Sequence, residues 1–393
     1  MLGDRLGLPE EQPKRGRKVK IHQSTVLAVA LGAMACANAA PIRQASGSYN
    51  GFNWQASSTI VGVTSTATAA GGGNPIYNAP MPQYSGVAAL IMDYGAQGRF
   101  ICSGTLLPDR RSILTAAHCV TNGPTLANPI STTAYFYGGS DPDTIVPLNP
   151  LSTAVSVSQY FVNPLYTGDV IDDNDIAVLR LGNWAPAFAD SYGLFTGELT
   201  SADLNVAGYG SRSDVGGDVG ANLGTGRLRQ GDNRYEYRLG DPAFTGGWEL
   251  IFDEPASQLD YTYVSDFDNG SSANDTSCLV AADPFFGLSG PIYCNLGRGA
   301  TEVSTAGGDS GGPQFINGMI SSVTSFGLTF GMDYGDVDDM LNSSFGEFNG
   351  FVPVLMHEDF IRSSMVPEPG SLALASLALL ALGGAHRRRR RRQ

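Results

Sequence analysis

Short apolar or β-branched runs punctuate the chain: Val87-Ala88-Ala89-Leu90-Ile91-Met92, Ile176-Ala177-Val178-Leu179 and Met319-Ile320-Ser321-Ser322-Val323. Clusters of Gly, Pro, Asn and Asp separate them. Runs this short, bounded by turn-forming residues, predict many strands and few helices between about 76 and 364, and so an all-β sandwich or barrels. Residues 41–75 follow a different pattern. Their Ala/Ser/Thr/Gly content, densest in Thr64-Ser65-Thr66-Ala67-Thr68-Ala69-Ala70-Gly71-Gly72-Gly73, predicts a flexible leader, propeptide or linker.

Two further apolar runs lie at the ends. Lys14-Arg15-Gly16-Arg17-Lys18 precedes Thr25-Val26-Leu27-Ala28-Val29-Ala30-Leu31 and then Ala37-Asn38-Ala39, the order of a secretory signal, so residues 1–40 read as a signal peptide with an N-terminal prefix. At the other end Val366-Pro367-Glu368-Pro369 is followed by an apolar stretch, Leu372 to Leu382, and six arginines, Arg387 to Arg392. That stretch is shorter than the ~20 residues of a simple membrane span. Residues 365–393 resemble instead the PEP-CTERM sorting signal of Gram-negative bacteria. The resemblance implies passage through the Sec machinery, processing by an exosortase, and residence at the cell surface, outer envelope or extracellular matrix. Membrane contact through this segment, transient or persistent, is expected.

Charge excludes one class of partner. Between 40 and 366 the chain holds 12 Arg and no Lys against 33 Asp or Glu, a net of −21. Nucleic-acid phosphate would be repelled by so acidic a body.

Three stretches carry candidate chemistry. His118 lies in Ser112-Ile113-Leu114-Thr115-Ala116-Ala117-His118-Cys119-Val120, where Cys102 could bridge to Cys119, as an exported protein permits. Asp172-Asp173-Asn174-Asp175 stands directly before an apolar strand. Asp172 and Asp173 read as a solvated turn, whereas Asp175, against the strand, is expected to be buried and to need a partner, for which His118 is the available imidazole. Gly307-Gly308-Asp309-Ser310-Gly311-Gly312-Pro313 sets one serine among glycines. A serine hydroxyl is a weak nucleophile that needs a base, and the base needs an orienting carboxylate.

Thr115-Ala116-Ala117-His118-Cys119, Asp175-Ile176-Ala177-Val178 and Gly308-Asp309-Ser310-Gly311-Gly312-Pro313, in that order, resemble the motifs of the chymotrypsin- or trypsin-like serine peptidases. Gly208-Tyr209-Gly210 and Thr324-Ser325-Phe326-Gly327 agree with lesser marks of that family. The resemblance implies two six-stranded antiparallel Greek-key β-barrels over 76–364, the first at about 76–185 and the second at about 186–364, with a short C-terminal helix. It implies Ser310 as nucleophile, His118 as base, Asp175 as its orienter, and the N–H groups of Gly308 and Ser310 as the oxyanion hole. Ser304, Ser325, Phe326 and Gly327 would contact substrate, and a neutral Ser304 favours apolar side chains over Arg or Lys. Asp309 would pair with a new α-ammonium group at Ile76, or at Ile60. Here the sequence departs from the family, because no Arg/Lys-Ile-Val-Gly-Gly junction is present.

The expected function is a serine endopeptidase, monomeric, acting on protein or peptide and needing no cofactor or catalytic metal. The alternative is a silent or zymogen-like surface or matrix binding protein on the same fold. Cys278 and Cys294 form a second candidate disulfide, although four cysteines permit three pairings. Asp266-Phe267-Asp268-Asn269-Gly270 suggests structural calcium without matching a complete EF-hand loop. Asp333, Asp336, Asp338, Asp339 and Glu347 read as a solvated loop, and His357 as structural.

Overall fold

The computed structural model describes residues 38–39, 44–57, 60–62, 74–121 and 129–365; the basic-apolar start and the residues from 366 onward lie outside them. Six antiparallel strands close the first barrel: Val87–Asp93, Arg99–Leu106, Ser112–Thr115, Ser131–Phe136, Thr153–Val162 and Ala177–Leu181. The fourth returns beside the first, and the third pairs with both the second and the sixth, which gives Greek-key order.

Strand periodicity explains why these runs are apolar without alternation. Leu90, Cys102, Ile113 and Leu179 fill the barrel interior. Their neighbours Ala89, Ile101, Leu114 and Val178 face outward and pack with Tyr209, Phe315, Ile320 and Val323 of the second half. Both faces are therefore dry, and polar alternation would strand polar groups in a core.

The second half is a curled antiparallel sheet ordered Arg229–Arg234, Asp203–Gly208, Pro313–Ile316, Met319–Thr329, Phe348–Pro353, Tyr263–Asp266 and Tyr237–Arg238. It has one strand more than the expected six, and its end strands share no ladder. Tyr237–Arg238 is too short to complete one, and the Asn233 side chain bridges the gap, with Nδ2 donating to the carbonyls of Asp266 (2.9 Å) and Val303 (2.8 Å). A short helix, Glu358–Ser364, ends the described chain as expected.

Residues 45–57 depart from the flexible leader read in the sequence. Ala45–Tyr49 and Phe52–Ser57 form a hairpin that adds to Met319–Thr329. Phe52 and Trp54 anchor it by burial in a large aromatic cluster with Trp248, Phe252 and Phe330, and Trp54 Nε1 donates to the Ile251 carbonyl at 3.0 Å. Two large aromatic side chains buried in this way outweigh the turn-forming composition around them. The pattern of small residues concealed this, because its period-2 signal is only two aromatics long.

Candidate active site

His118 follows the strand Ser112–Thr115 on a single 3-10 turn, Ala117–Cys119. The turn is clamped to the barrel by the Cys102–Cys119 disulfide, and Cys278–Cys294 is the second bridge. Asp175, immediately before Ala177–Leu181, is 1% exposed. Its Oδ1 accepts from the His118 backbone N–H at 2.8 Å, and its Oδ2 lies 2.6 Å from His118 Nδ1. The Ser325 hydroxyl donates to the same Oδ2 at 2.6 Å. Burial raises the Asp175 pKa, but the imidazole charge and the bonds from His118 and Ser325 outweigh it and hold the carboxyl below its ordinary range.

This arrangement fixes the imidazole. With Nδ1 committed to Asp175, the proton-accepting end is Nε2, which is buried and makes no hydrogen bond to any described residue, Ser310 included. Ser310 nevertheless sits on a loop pressed against the histidine's own segment. The Ser103 N–H donates to the Ser310 carbonyl at 2.9 Å, and the Thr115 hydroxyl donates to the Ser103 carbonyl at 2.8 Å. Cys119 Sγ lies 3.6 Å from the Ser310 carbonyl oxygen, a packing contact, since a disulfide sulfur has no proton to donate. Gly311, at φ +75°, approaches so closely that a Cβ there would fall 2.0 Å from Thr115 Oγ1. Glycine after the serine is thus what lets the loop reach the turn carrying His118.

Gly308, at φ +109°, is the second position that requires glycine. No hydrogen bond among the described residues uses the N–H of Gly308 or of Ser310. Asp309 between them is buried, with its carboxylate accepting from the N–H groups of Gly210 (2.8 Å) and Ala306 (3.2 Å). Burial lifts its pKa well above the carboxylate range.

The expected pairing of Asp309 with a new α-ammonium group at Ile76 belongs to a cut chain, and here the chain is uncut. Ile76 is an internal residue whose N–H donates to Asn74 Oδ1 at 3.1 Å, and an uncharged peptide N–H cannot neutralise a buried carboxylate. Ile60 lies in the strand Ile60–Gly62, paired with Thr305, and is likewise internal.

The residues expected to contact substrate are brought together, but not as free surfaces. Ser325 spends its hydroxyl on Asp175, and the Phe326 ring is 1% exposed within the aromatic core. Gly327 already has a strand partner in Ser57 on one edge and in Asn349 on the other. Ser304 is buried and donates to Asn349 Oδ1 at 3.0 Å, which also accepts from the Thr305 N–H and hydroxyl. Asn349 was invisible to sequence reasoning, because it lies 45 positions from Ser304 in a strand with no motif.

Other expectations are corrected. Asp172 and Asp173 are buried, 0% and 4% exposed, not solvated. Asp172 accepts from Thr167 and Asn174, Asp173 from Tyr261 and Asn174. Burial, against the Tyr261 bond, pushes Asp173 up to about 7. Asp336 and Glu347 are also buried rather than solvated: Glu347 organises its loop by accepting from the N–H groups of Asn342 and Ser344. His357 is structural as expected, its two nitrogens meeting the Asp173 carbonyl (2.7 Å) and the Asn163 side-chain amide (3.2 Å). The Cys102 and Cys119 sulfurs and a His118 nitrogen lie within 4.8 Å of one another, but the disulfide consumes both thiolates that a metal would need. A surface groove of about 610 Å³ lies between the hairpin and residues 329–341, and none of His118, Asp175 or Ser310 lines it.

A family model described as Trypsin matches residues 78–336, and a PEP-CTERM protein-sorting motif matches residues 366–391. No curated protein matches the chain. Among solved structures, neuropsin, a serine protease expressed in the limbic system of mouse brain, is similar with a TM-score of 0.45 and 17% identity, over 74% of this chain and 98% of that one. No helix among the described residues is long and apolar enough to cross a membrane.

Proposed function

Since the chain belongs to the trypsin family, we propose that it is an exported serine endopeptidase that cleaves peptide bonds through an acyl-enzyme on Ser310. The observation that supports this best is the His118–Asp175 pair at 2.6 Å, with His118 Nε2 left unbonded on a turn packed against the Ser310 loop. In this reading His118 takes the Ser310 proton as the hydroxyl oxygen attacks the carbonyl carbon, and Asp175 stabilises the imidazolium that forms. The free N–H groups of Gly308 and Ser310 receive the oxyanion. His118 then returns the proton to the leaving amine, and water repeats the sequence to release the acid. The sorting motif at 366–391 supports export, surface association and processing by an exosortase. Removal of residues 1–40 and monomeric action complete the proposal.

Labelling with a fluorophosphonate tests it. The proteolytically matured protein should take up one label on Ser310, and Ser310→Ala none. Equal labelling of Ser310→Ala would falsify the assignment.

A second reading, that the uncut chain is zymogen-like and silent, is favoured by one specific observation. Residues 55–57 pair antiparallel with Thr329, Leu328 and Gly327, and residues 60–62 pair antiparallel with Thr305, Ser304 and Val303. The two strand edges that flank the proposed substrate cleft are therefore occupied by the chain's own leader. Peptide hydrolysis before and after a single cut between residues 62 and 76 separates the readings. Activity only after the cut supports the silent precursor, and full turnover by the uncut chain removes it.

A further inference from the structure

Most of the loop at 306–312 is held by its own backbone. The Ala306 carbonyl accepts from the Asp309 N–H (2.9 Å), the Asp309 carbonyl from the Gly312 N–H (2.6 Å), and the Gly312 carbonyl from the Thr324 N–H (2.9 Å). No side-chain substitution removes these bonds. Two carbonyls are held by side chains instead. Ser103 Oγ donates to the Gly308 carbonyl at 2.9 Å. Ser211 Oγ donates to the Gly307 carbonyl at 3.2 Å, beside the Ser211 N–H at 2.9 Å.

Ser103 lies on Arg99–Leu106 of the first barrel and is 0% exposed. Its hydroxyl also accepts from the Tyr209 N–H at 2.9 Å, and its own N–H donates to the Ser310 carbonyl at 2.9 Å. Its carbonyl accepts from the hydroxyl of Thr115, on the strand that leads to His118. One buried residue therefore joins the histidine's strand to both Gly308 and Ser310. The consequence for Gly308 is geometric. A trans peptide points its N–H opposite to its carbonyl, so the bonds from Ser211 to the Gly307 carbonyl turn the Gly308 N–H away from Ser211. Gly308, at φ +109° and with no Cβ, lacks the steric restraint that would fix its next peptide. The Ser103 hydroxyl supplies that restraint.

We infer that Ser103 is a positioning residue for the proposed oxyanion hole, with Ser211 as its second clamp. The two hydroxyls fix the peptides on either side of Gly308, and so the direction of the Gly308 N–H relative to that of Ser310. The inference rests on the reading of Ser310 as nucleophile, and neither serine touches the reacting atoms. Without the Ser103 hydroxyl, the Gly308 carbonyl and the Tyr209 N–H are left buried and unpartnered, and the peptide after Gly308 is free to turn. An oxyanion hole acts through donors already aimed at the developing charge. A misdirected donor therefore slows the chemical step and leaves substrate affinity largely intact.

The experiment makes Ser103→Ala and Ser211→Ala in the full chain, cuts each between residues 62 and 76, and compares them with the equally cut parent on a peptide that the parent cleaves. In Ser103→Ala, kcat should fall by about 10- to 100-fold with KM changed by less than about threefold, short of the roughly 100- to 1000-fold that loss of a whole oxyanion donor costs. Ser211→Ala, whose backbone N–H still holds the Gly307 carbonyl, should lose about 2- to 10-fold in kcat. Fluorophosphonate labelling rates should fall with kcat, because the phosphoryl oxygen needs the same two donors. Kinetics are read below the melting temperature of each variant, where a merely structural role would leave kcat unchanged. Parental kcat in folded Ser103→Ala, or a loss confined to KM, overturns the inference. Should Ser103→Ala fail to fold, Ser211→Ala decides, and parental kcat there overturns it. A cut parent that takes no label on Ser310 removes the peptidase reading and this inference together, whereas a labelled parent beside unchanged variants removes this inference alone.

Discussion

Ser325→Ala is the sharpest test of the proposed charge network. Asp175 accepts three bonds, and the substitution removes one, the 2.6 Å bond from the Ser325 hydroxyl to the oxygen that also meets His118 Nδ1. A hydrogen bond to a buried charged group contributes about 1.5–3 kcal/mol. At about 2–4 °C per kcal/mol for a protein of this size, the melting temperature should fall by about 3–12 °C at pH 7. The pH dependence identifies the cause. The folded pKa of Asp175 is held below the ordinary 3.8, so its ionised form stabilises the fold above that value, and the contribution is lost as pH falls through the folded pKa. Removing a donor raises the folded pKa, so the variant's deficit should be constant near neutrality and shrink in acid below about pH 4. If the full bond energy serves to orient the ring, kcat/KM falls by at most about 10- to 150-fold with little change in KM. Thermal melts of Ser310→Ala and of Ser310→Ala/Ser325→Ala across pH give the first quantity, and steady-state kinetics of the Ser325→Ala single variant give the second. Unchanged stability together with unchanged kcat would show that the bond does not hold the network.

Three other substitutions probe separate parts of the structure. Gly311→Ala places a Cβ 2.0 Å from Thr115 Oγ1 at φ +75°, so fluorophosphonate labelling should be lost and the melting temperature lowered. Glu347 is pushed by burial up to about 8 from 4.5, so its stabilising protonated form is fully present below pH 4.5 and is lost as pH rises through about 8. Glu347→Gln should therefore flatten the decline in stability across that window and melt higher than the parent at pH 8.5, as thermal scans would reveal. Ser304 and Asn349 offer no negative charge, so a peptide-library profile should show no preference for Arg or Lys before the cut; such a preference disappearing in Asn349→Ala would contradict the neutral pocket.

The candidate site residues were more legible than the surroundings that hold them. His118, Asp175 and Ser310 each stand in a short local pattern, and the adjacency of Asp175 to an apolar strand is enough to forecast its burial. Asp172 and Asp173 defeat the same reasoning: Asp172 is bonded from Thr167, five positions away, but the segment that covers Asp173, with Gln258 and Tyr261, is more than 80 positions distant and leaves no local trace. Ser325 was legible as a site residue but not in its side-chain role, which depends on a contact 150 residues away. The first barrel follows from its apolar runs. The open edge of the second sheet does not, since it turns on one asparagine side chain, Asn233, substituting for ladder bonds.

Two features of the uncut chain favour the same event. Asp309 is a buried carboxylate with two neutral donors and no cationic partner among the described residues, a costly state that a new α-ammonium group would relieve. Residues 55–57 and 60–62 hold the strand edges where, in the peptidase reading, an extended substrate would add. A single cut after residue 62 and at or before Ile76 would create the ammonium and sever the leader from the peptidase body in one step. The two effects differ in reversibility. The ammonium can bind Asp309 at once, whereas Phe52 and Trp54 keep the hairpin docked in its aromatic cluster after the bond is broken. Activation would then proceed in two phases, a fast one set by the cut and a slower one set by release of the hairpin. Trp54→Ala, by weakening only the docking, should speed the second phase and leave the first unchanged, as labelling time courses after the cut would record; a single phase in both proteins would refute this order of events.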